Sequence, residues 1–158
     1  MFSIIPIRDD MRPEINRYIK EEWAGPLVAT RGVLHDTSRA EGFAAVDQGE
    51  LLGYALYAVE NAQCEILVLH SLRENQGVGR ALIQAVVGVA EENRCRRVWL
   101  ITTNDNIHAI RYYQRVGFAL AAVHIGGIAE SRKRKPSIPL LGNEGIPIQH
   151  EFEFETLL

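Results

Sequence analysis

Apolar and polar positions alternate along this chain with two periods. The clearest helical stretch follows Gly77, where Val78, Leu82, Ala85, Val86 and Val89 keep helical spacing and Arg80, Gln84, Glu91 and Glu92 fall mostly on other faces. The apolar run Cys64 to Leu69 just before it reads as a strand, and Ser71 to Gln76 as a polar turn. The helix opens at Gly77-Val78-Gly79.

The rest of the pattern extends this unit in both directions. Phe2 to Ile7 reads as a first strand. Asp9 and Asp10 are placed to cap a helix that admits Pro13 in its first turn and sets Met11, Ile15, Tyr18, Ile19 and Trp23 on one face. Leu27 to Glu41 has no clean period and is expected to be a loop over one end of the sheet. Phe43 to Val46 and Leu51 to Val59 flank Asp47-Gln48-Gly49-Glu50, a four-residue hairpin connection. Arg97 to Thr102 is a further strand, and the cap formers Thr103-Asn104-Asp105-Asn106 precede a helix from Ile107 to about Val116. Gly117 stops that helix and Phe118 to Ile125 is again extended. Arg132-Lys133-Arg134-Lys135 reads as a solvated helix end, with a nucleic-acid patch or nuclear signal as the alternative. Pro136 to Pro147 holds three prolines and two glycines and is expected to be a loop. His150 to Glu155 alternates, which puts Phe152 and Phe154 on a core face. The order β-α-β-β-β-α-β-α-β-β predicts an α/β (α+β) fold, a mixed sheet with helices on its faces.

Composition narrows the class. At 158 residues, 47% hydrophobic and 23% charged, the chain has the make-up of one soluble globular domain over residues 1–158. A formal net charge of −3 argues against nucleic acid as a partner. No apolar run has spanning length and no signal-peptide pattern is present, so the expectation is a cytoplasmic protein with no membrane partner. Cys64 and Cys95 lack metal-ligand spacing and are expected as reduced thiols, and no metal is expected.

The glycine turn carries the candidate chemistry. Amides at a helix start lack intrahelical partners and sit at the positive end of the dipole, which suits a phosphate or pyrophosphate. The alternative is a turn that only packs helix on strand. A Walker loop is excluded because Arg80-Ala81 follows Gly79 where Lys-Ser/Thr is required. A dinucleotide fingerprint is excluded because its third glycine would fall at Leu82 and the next strand ends in Ile101-Thr102-Thr103 without an acid.

Two motifs together point to a family. Glu74-Asn75-Gln76-Gly77-Val78-Gly79 is similar to the Arg/Gln-x-x-Gly-x-Gly/Ala signature, with Glu74 where Arg or Gln is preferred. Asn106-Ile107-His108-Ala109 followed by Tyr112-Tyr113 and Gly117-Phe118 is similar to a second signature. Over nearly its whole length the chain resembles the GCN5-related N-acetyltransferase (GNAT) superfamily. The resemblance implies a mostly antiparallel sheet splayed between its fourth strand (Cys64 to Leu69) and its fifth (Arg97 to Thr102). It implies acetyl-CoA as co-substrate, with the pyrophosphate on the turn Glu74, Asn75, Gln76, Gly77, Val78, Gly79 and Arg80. It also implies that the backbone of Leu67, Val68 and Leu69 pairs with the pantetheine arm and that Asn106 contacts CoA, a helix cap being its alternative role. Arg73 and Arg80 are expected to offset the charge of Glu74.

The implied reaction is direct attack of a primary amine, on a small molecule or on a peptide or protein, on the thioester in a ternary complex. The resemblance makes Tyr113 the proton donor to the departing thiolate and Tyr112 a packed aromatic. Glu65 matches the position of a catalytic glutamate that relays the amine's proton through water; His70, His35 and His150 are the alternatives. The acceptor is expected on the face opposite CoA, under Leu27 to Glu41 and Pro136 to Pro147. There Glu65 and the acidic strand Glu151-Phe152-Glu153 would favour a cationic amine. A rival is a catalytically silent acyl-CoA-binding or regulatory module of the same fold. A homodimer is compatible with either.

Overall fold

A computed structural model describes residues 1–158. In chain order the elements are β1 (Ser3–Pro6), α1 (Arg12–Trp23), β2 (Leu27–Thr30), β3 (Val33–Asp36), β4 (Glu41–Asp47), β5 (Glu50–Glu60), β6 (Gln63–Ser71), α2 (Val78–Glu92), β7 (Arg97–Thr103), α3 (Ile107–Arg115), β8 (Ala119–His124), α4 (Gly127–Arg134) and β9 (Glu151–Leu157). Short 3-10 turns at Asp9–Met11, Thr37–Arg39 and Asn143–Gly145 complete the list. The fold is mixed α/β with mostly antiparallel strands, as expected. The chain divides into two compact units, the first comprising 1–26, 37–98 and 157–158, the second 27–36 and 99–156.

The first unit is a four-stranded antiparallel array in the order β1-β4-β5-β6. Its hairpins close through two-residue turns, Gln48-Gly49 between Asp47 and Glu50 and Asn61-Ala62 between Glu60 and Gln63. Both residues of each turn have positive φ, the hand that matches strand twist. The expected four-residue connection is therefore tighter, because Asp47 and Glu50 are themselves paired.

The two faces of this array are covered by different helices. Helix α2 packs on β4, β5 and β6 through Val78, Leu82, Val86 and Ala90, all buried. Gly53 permits the close approach of its first turn, since a Cβ there would lie 2.8 Å from Val78 Cγ1 and from the His70 carbonyl oxygen. Tyr54, its neighbour on β5, points the other way and meets Tyr18 of α1. Ile15 and Ile19 are the buried positions of α1. Asp9 and Asp10 do not cap this helix. They lie in the preceding 3-10 turn, where Asp10 accepts from the Arg8 guanidinium at 3.1 Å, and the N-cap position falls to Met11 without a side-chain bond.

The second unit contains strands in the order β7-β9-β8 and the separate hairpin β2–β3. That hairpin corrects the expected loop over Leu27 to Glu41. Its four register pairs close through Arg31 and Gly32, at φ 50° and 73°, and the 3-10 turn Thr37–Arg39 follows in the first unit. Helix α4 was visible in the sequence only as its basic end.

The loop 136–147 is irregular, as its prolines imply, but it is tied down by two side chains before α3. Asn104 Oδ1 accepts from the amides of Gln149 and His150, and its Nδ2 donates to the Pro147 carbonyl, each at 2.9 Å. Asp105 is buried and accepts from the Asn143 amide at 3.0 Å, from Asn143 Nδ2 at 3.1 Å and from Thr103 Oγ1 at 2.5 Å. Gly142 is required beside it, because a Cβ there would fall 2.0 Å from Asp105 Oδ2. Asp105→Ala should destabilise the protein by about 2 kcal/mol, since buried donors lose a charged acceptor. Urea titration should show a lower midpoint at unchanged slope.

Candidate active site

In the first unit the residues expected to hold CoA lie on consecutive segments, β6 and the turn into α2. The ladder between β5 and β6 pairs Leu56 with Val68 and Tyr57 with Ile66, so it skips Leu67. A bulge of this kind re-aims backbone groups and is common beside active sites. It also resets the alternation. Glu65, Val68 and His70 oppose Ala58, Leu56 and Tyr54, which alternate along β5, so all three share the face on which α1's Tyr18 sits. No residue pattern announced the bulge, because Leu67 is as apolar as its neighbours.

The turn after β6 is exposed from Arg73 to Gly77. Asn75 and Gly77 both have positive φ, at 60° and 78°. Gly77 is the N-cap of α2 and gives no side-chain bond to the helix; a Cβ there would meet nothing within 4 Å. The missing cap costs about 1 kcal/mol, less than the burial of Leu82 and Val86, worth about 2 kcal/mol each. The helix therefore starts securely with its first amides uncapped by side chains and an open approach at Gly77. Glu74 is exposed, so solvent screens its charge. Arg80 is also exposed, whereas Arg73 is ion-paired with Glu50, which corrects its expected role in offsetting Glu74.

Glu65 is buried in β6, with Ala58 as its register partner. Next to it Cys64 is a buried free thiol pushed up to about 12 by burial, consistent with a reduced, inert cysteine. At the other end of β6, His70 is half-buried among aromatic rings and its Nδ1 lies 3.2 Å from the Tyr54 hydroxyl. Burial lowers its pKa and the Glu22 carboxylate opposes that shift.

In the second unit Tyr113 sits on α3, buried against Tyr112, Phe118 and Phe154 at ring separations of 5.5, 5.7 and 6.4 Å. Burial raises the phenol's pKa well above its ordinary value. Tyr112 is half-buried and stacks on His108. Asn106 takes the cap position of α3, its Oδ1 accepting from the Ala109 amide at 3.1 Å.

The acidic strand departs from expectation. Glu151 and Glu153 are buried at 1% and 5% exposure, while Phe152 is half-buried and only Phe154 is fully enclosed. Glu151 Oε2 accepts from the Arg31 amide at 3.1 Å and from Ser131 Oγ at 3.0 Å, and burial raises its pKa. Glu153 lies 2.9 Å from His124 Nε2 and 3.7 Å from the Arg31 guanidinium. These carboxylates fasten the β2–β3 hairpin to α4 and β9.

The basic run is likewise partly turned inward. Arg132 donates to the carbonyls of Ile138, Pro139 and Ile148, and Lys135 donates to the Leu27 carbonyl at 2.6 Å. Lys133 pairs with Glu130. Two alternative bases are engaged as well: His35 with Thr30 Oγ1 at 3.0 Å, and His150 through Nδ1, which accepts from the Gly126 amide at 2.9 Å.

Comparison with known proteins supplies the family. The sequence model of the Acetyltransferase (GNAT) family matches residues 7–118. Protein YdhI of Bacillus subtilis (strain 168) is 36% identical over 159 residues, covering 100% of this chain and 99% of its own. The spermine/spermidine N(1)-acetyltransferase of the same organism is 26% identical over 131 residues, covering 73% of this chain and 86% of its own. Arabidopsis thaliana NAA60 in complex with acetyl-CoA shares the fold at a TM-score of 0.72 with 19% identity, covering 100% of both chains. No helix is long and apolar enough to cross a membrane. The chain belongs to the GNAT acetyltransferase family.

Proposed function

We propose that this protein is an N-acetyltransferase that moves an acetyl group from acetyl-CoA to a primary amine by direct attack in a ternary complex, with residues 1–158 acting as one catalytic domain. The observation that carries this is the start of α2: Gly77 at positive φ, open in front, before a helix whose first amides have no side-chain cap. Backbone amides at such a terminus suit a pyrophosphate. Glu74, Asn75, Gln76, Val78, Gly79 and Arg80 complete the turn that would cradle it, and the irregular ladder at Leu67 supports a pantetheine contact along Leu67, Val68 and Leu69. Asn106 adds its contact to CoA by family position, beside its cap role.

The chemistry needs a neutral amine, stabilisation of the oxyanion and a proton for the leaving thiolate. Tyr113 is the proton donor in this reading; its raised pKa keeps the phenol protonated throughout the neutral range. Glu65 keeps its family-position role as the carboxylate on the path of the amine's proton through water. A polyamine is the first acceptor class to test, because the spermine/spermidine N(1)-acetyltransferase is among the relatives. The cytoplasm is the expected compartment.

An amine panel scored by CoA release tests the reading directly. Release with at least one amine is expected; CoA binding without thiol release for every amine would leave a silent acyl-CoA-binding module. Gly77→Asp should abolish CoA binding in calorimetry, since it puts negative charge at the proposed pyrophosphate site. Its left-handed backbone position adds a stability loss of about 1 kcal/mol. Unchanged affinity in the folded variant would remove the pyrophosphate assignment.

Tyr113→Phe should lower turnover by about 10- to 10⁴-fold with CoA affinity nearly unchanged, because the hydroxyl acts on a thiolate formed late in the reaction. Wild-type turnover in this variant would move the donor role to another group.

A further inference from the structure

We propose that His70 is the group that takes the proton from the acceptor ammonium, and that Tyr18, Trp23 and Tyr54 form an enclosure that holds its imidazole for that step. This role rests on the acetyltransfer reading above and deepens it.

The geometry is that of a held ring. His70 lies 5.5 Å from the Tyr54 ring, 5.8 Å from Tyr18 and 6.2 Å from Trp23, with interplanar angles of 75°, 90° and 82°. Rings from two elements, α1 and β5, thus meet the imidazole nearly at right angles and restrict its rotation. Tyr54 stands directly across the ladder from His70, fully buried, with its hydroxyl 3.2 Å from Nδ1. With Nδ1–H donating to that oxygen, Nε2 keeps its lone pair, and His70 as a residue is only half-buried. In His150, by contrast, Nδ1 is the acceptor and is already occupied by the Gly126 amide.

Position along β6 supports the assignment. The skipped residue Leu67 brings Glu65 and His70 onto one face of the strand whose backbone is proposed to carry the pantetheine arm. Glu65 then favours the ammonium while His70 removes its proton. In the step, the ammonium N–H bond breaks and the proton goes to Nε2. The freed nitrogen pair forms the C–N bond to the thioester carbonyl. Collapse breaks C–S, the thiolate takes the Tyr113 proton, the amide nitrogen returns a proton to the phenolate, and His70 releases its own to solvent.

The groups that face His70 set its titration. From α1 come Tyr18, Trp23 and Glu22, with Arg17 resting 5.2 Å over the Tyr18 ring; from β5 comes Tyr54, whose phenol burial holds protonated and on which Glu22 and Glu21 also act. Burial lowers the His70 pKa and Glu22 raises it, with burial the larger effect. The imidazole is therefore neutral at pH 7 and able to accept a proton, and activity rises with pH through its titration.

The test is the pH profile of kcat at saturating acetyl-CoA, using the primary amine that gives the most CoA release. His70→Gln should lower kcat by roughly 10²- to 10⁴-fold and abolish the acid limb, with CoA affinity unchanged. Glu22→Gln should move the acid limb to lower pH, and Trp23→Ala, which opens the enclosure, should move it to higher pH. These two shifts carry the test if His70→Gln does not fold. Wild-type kcat and an unchanged limb in His70→Gln, or a limb unmoved by both Glu22→Gln and Trp23→Ala, would overturn the role while leaving acetyltransfer intact. A wild-type protein that releases no CoA with any amine overturns the acetyltransfer reading and this role with it.

Discussion

The first turn of α2 can remain uncapped because Val78 is pinned to the sheet at Gly53. The side chain of any other residue at position 53 would meet Val78 and the His70 carbonyl oxygen at 2.8 Å and push the helix start away. Burial of the apolar stripe behind Val78 supplies the energy that side-chain caps give elsewhere, so the amides of this turn stay available. Gly77 adds the backbone turn at positive φ without an obstructing Cβ. The proposed cradle therefore depends on two glycines with different duties, one that admits packing and one that leaves an approach open. Only the second was marked by the family signature.

The second unit is organised by polar side chains that bind backbone. Asn104 and Asp105 satisfy backbone donors and acceptors of the loop 136–150, while Glu151 does the same for the tip of the β2–β3 hairpin. Four cap formers in a row, Thr103 to Asn106, predicted a helix start, and one of them, Asn106, serves as the cap. The other three share the work of holding the loop: Thr103 orients the Asp105 carboxylate, and Asn104 and Asp105 bind backbone. Irregular chain is fixed here by side-chain acceptors at a strand end, which is why a proline-rich segment need not be a mobile one.

Legibility in the sequence followed the range of the forces. The amphipathic helices, the apolar strand before Gly77 and the glycine turn were readable because periodicity and backbone freedom act over a few residues. The β2–β3 hairpin was not, since its turn is Arg31-Gly32 instead of a strong turn pair and its exposed Val33 and Leu34 break the alternation. The bulge at Leu67 was invisible because it is a property of the β5–β6 pairing, not of either strand alone. Phe152 and Phe154 suggested a simple core face, but Glu151 is buried too, its Oε2 held by Arg31 and Ser131, and so is Glu153, held by His124.

The same partners change how charge bears on acceptor choice. In the sequence the acidic strand Glu151-Phe152-Glu153 reads as favouring a cationic amine, and Arg132 to Lys135 as a solvated helix end. Two of those charges have charged partners, Glu153 with Arg31 and His124 and the exposed Lys133 with Glu130, whereas Arg132 keeps its charge while donating to loop carbonyls. A paired charge produces little field at a distance, and salt screens what is left. Glu153 and Lys133 thus contribute little long-range attraction toward an amine. In the role proposed for His70, selection rests instead on short-range contacts: an imidazole edged by Tyr18, Trp23 and Tyr54, with the Glu22 carboxylate acting on it, would sort acceptors by the proton they give up and the fit of the group that carries it.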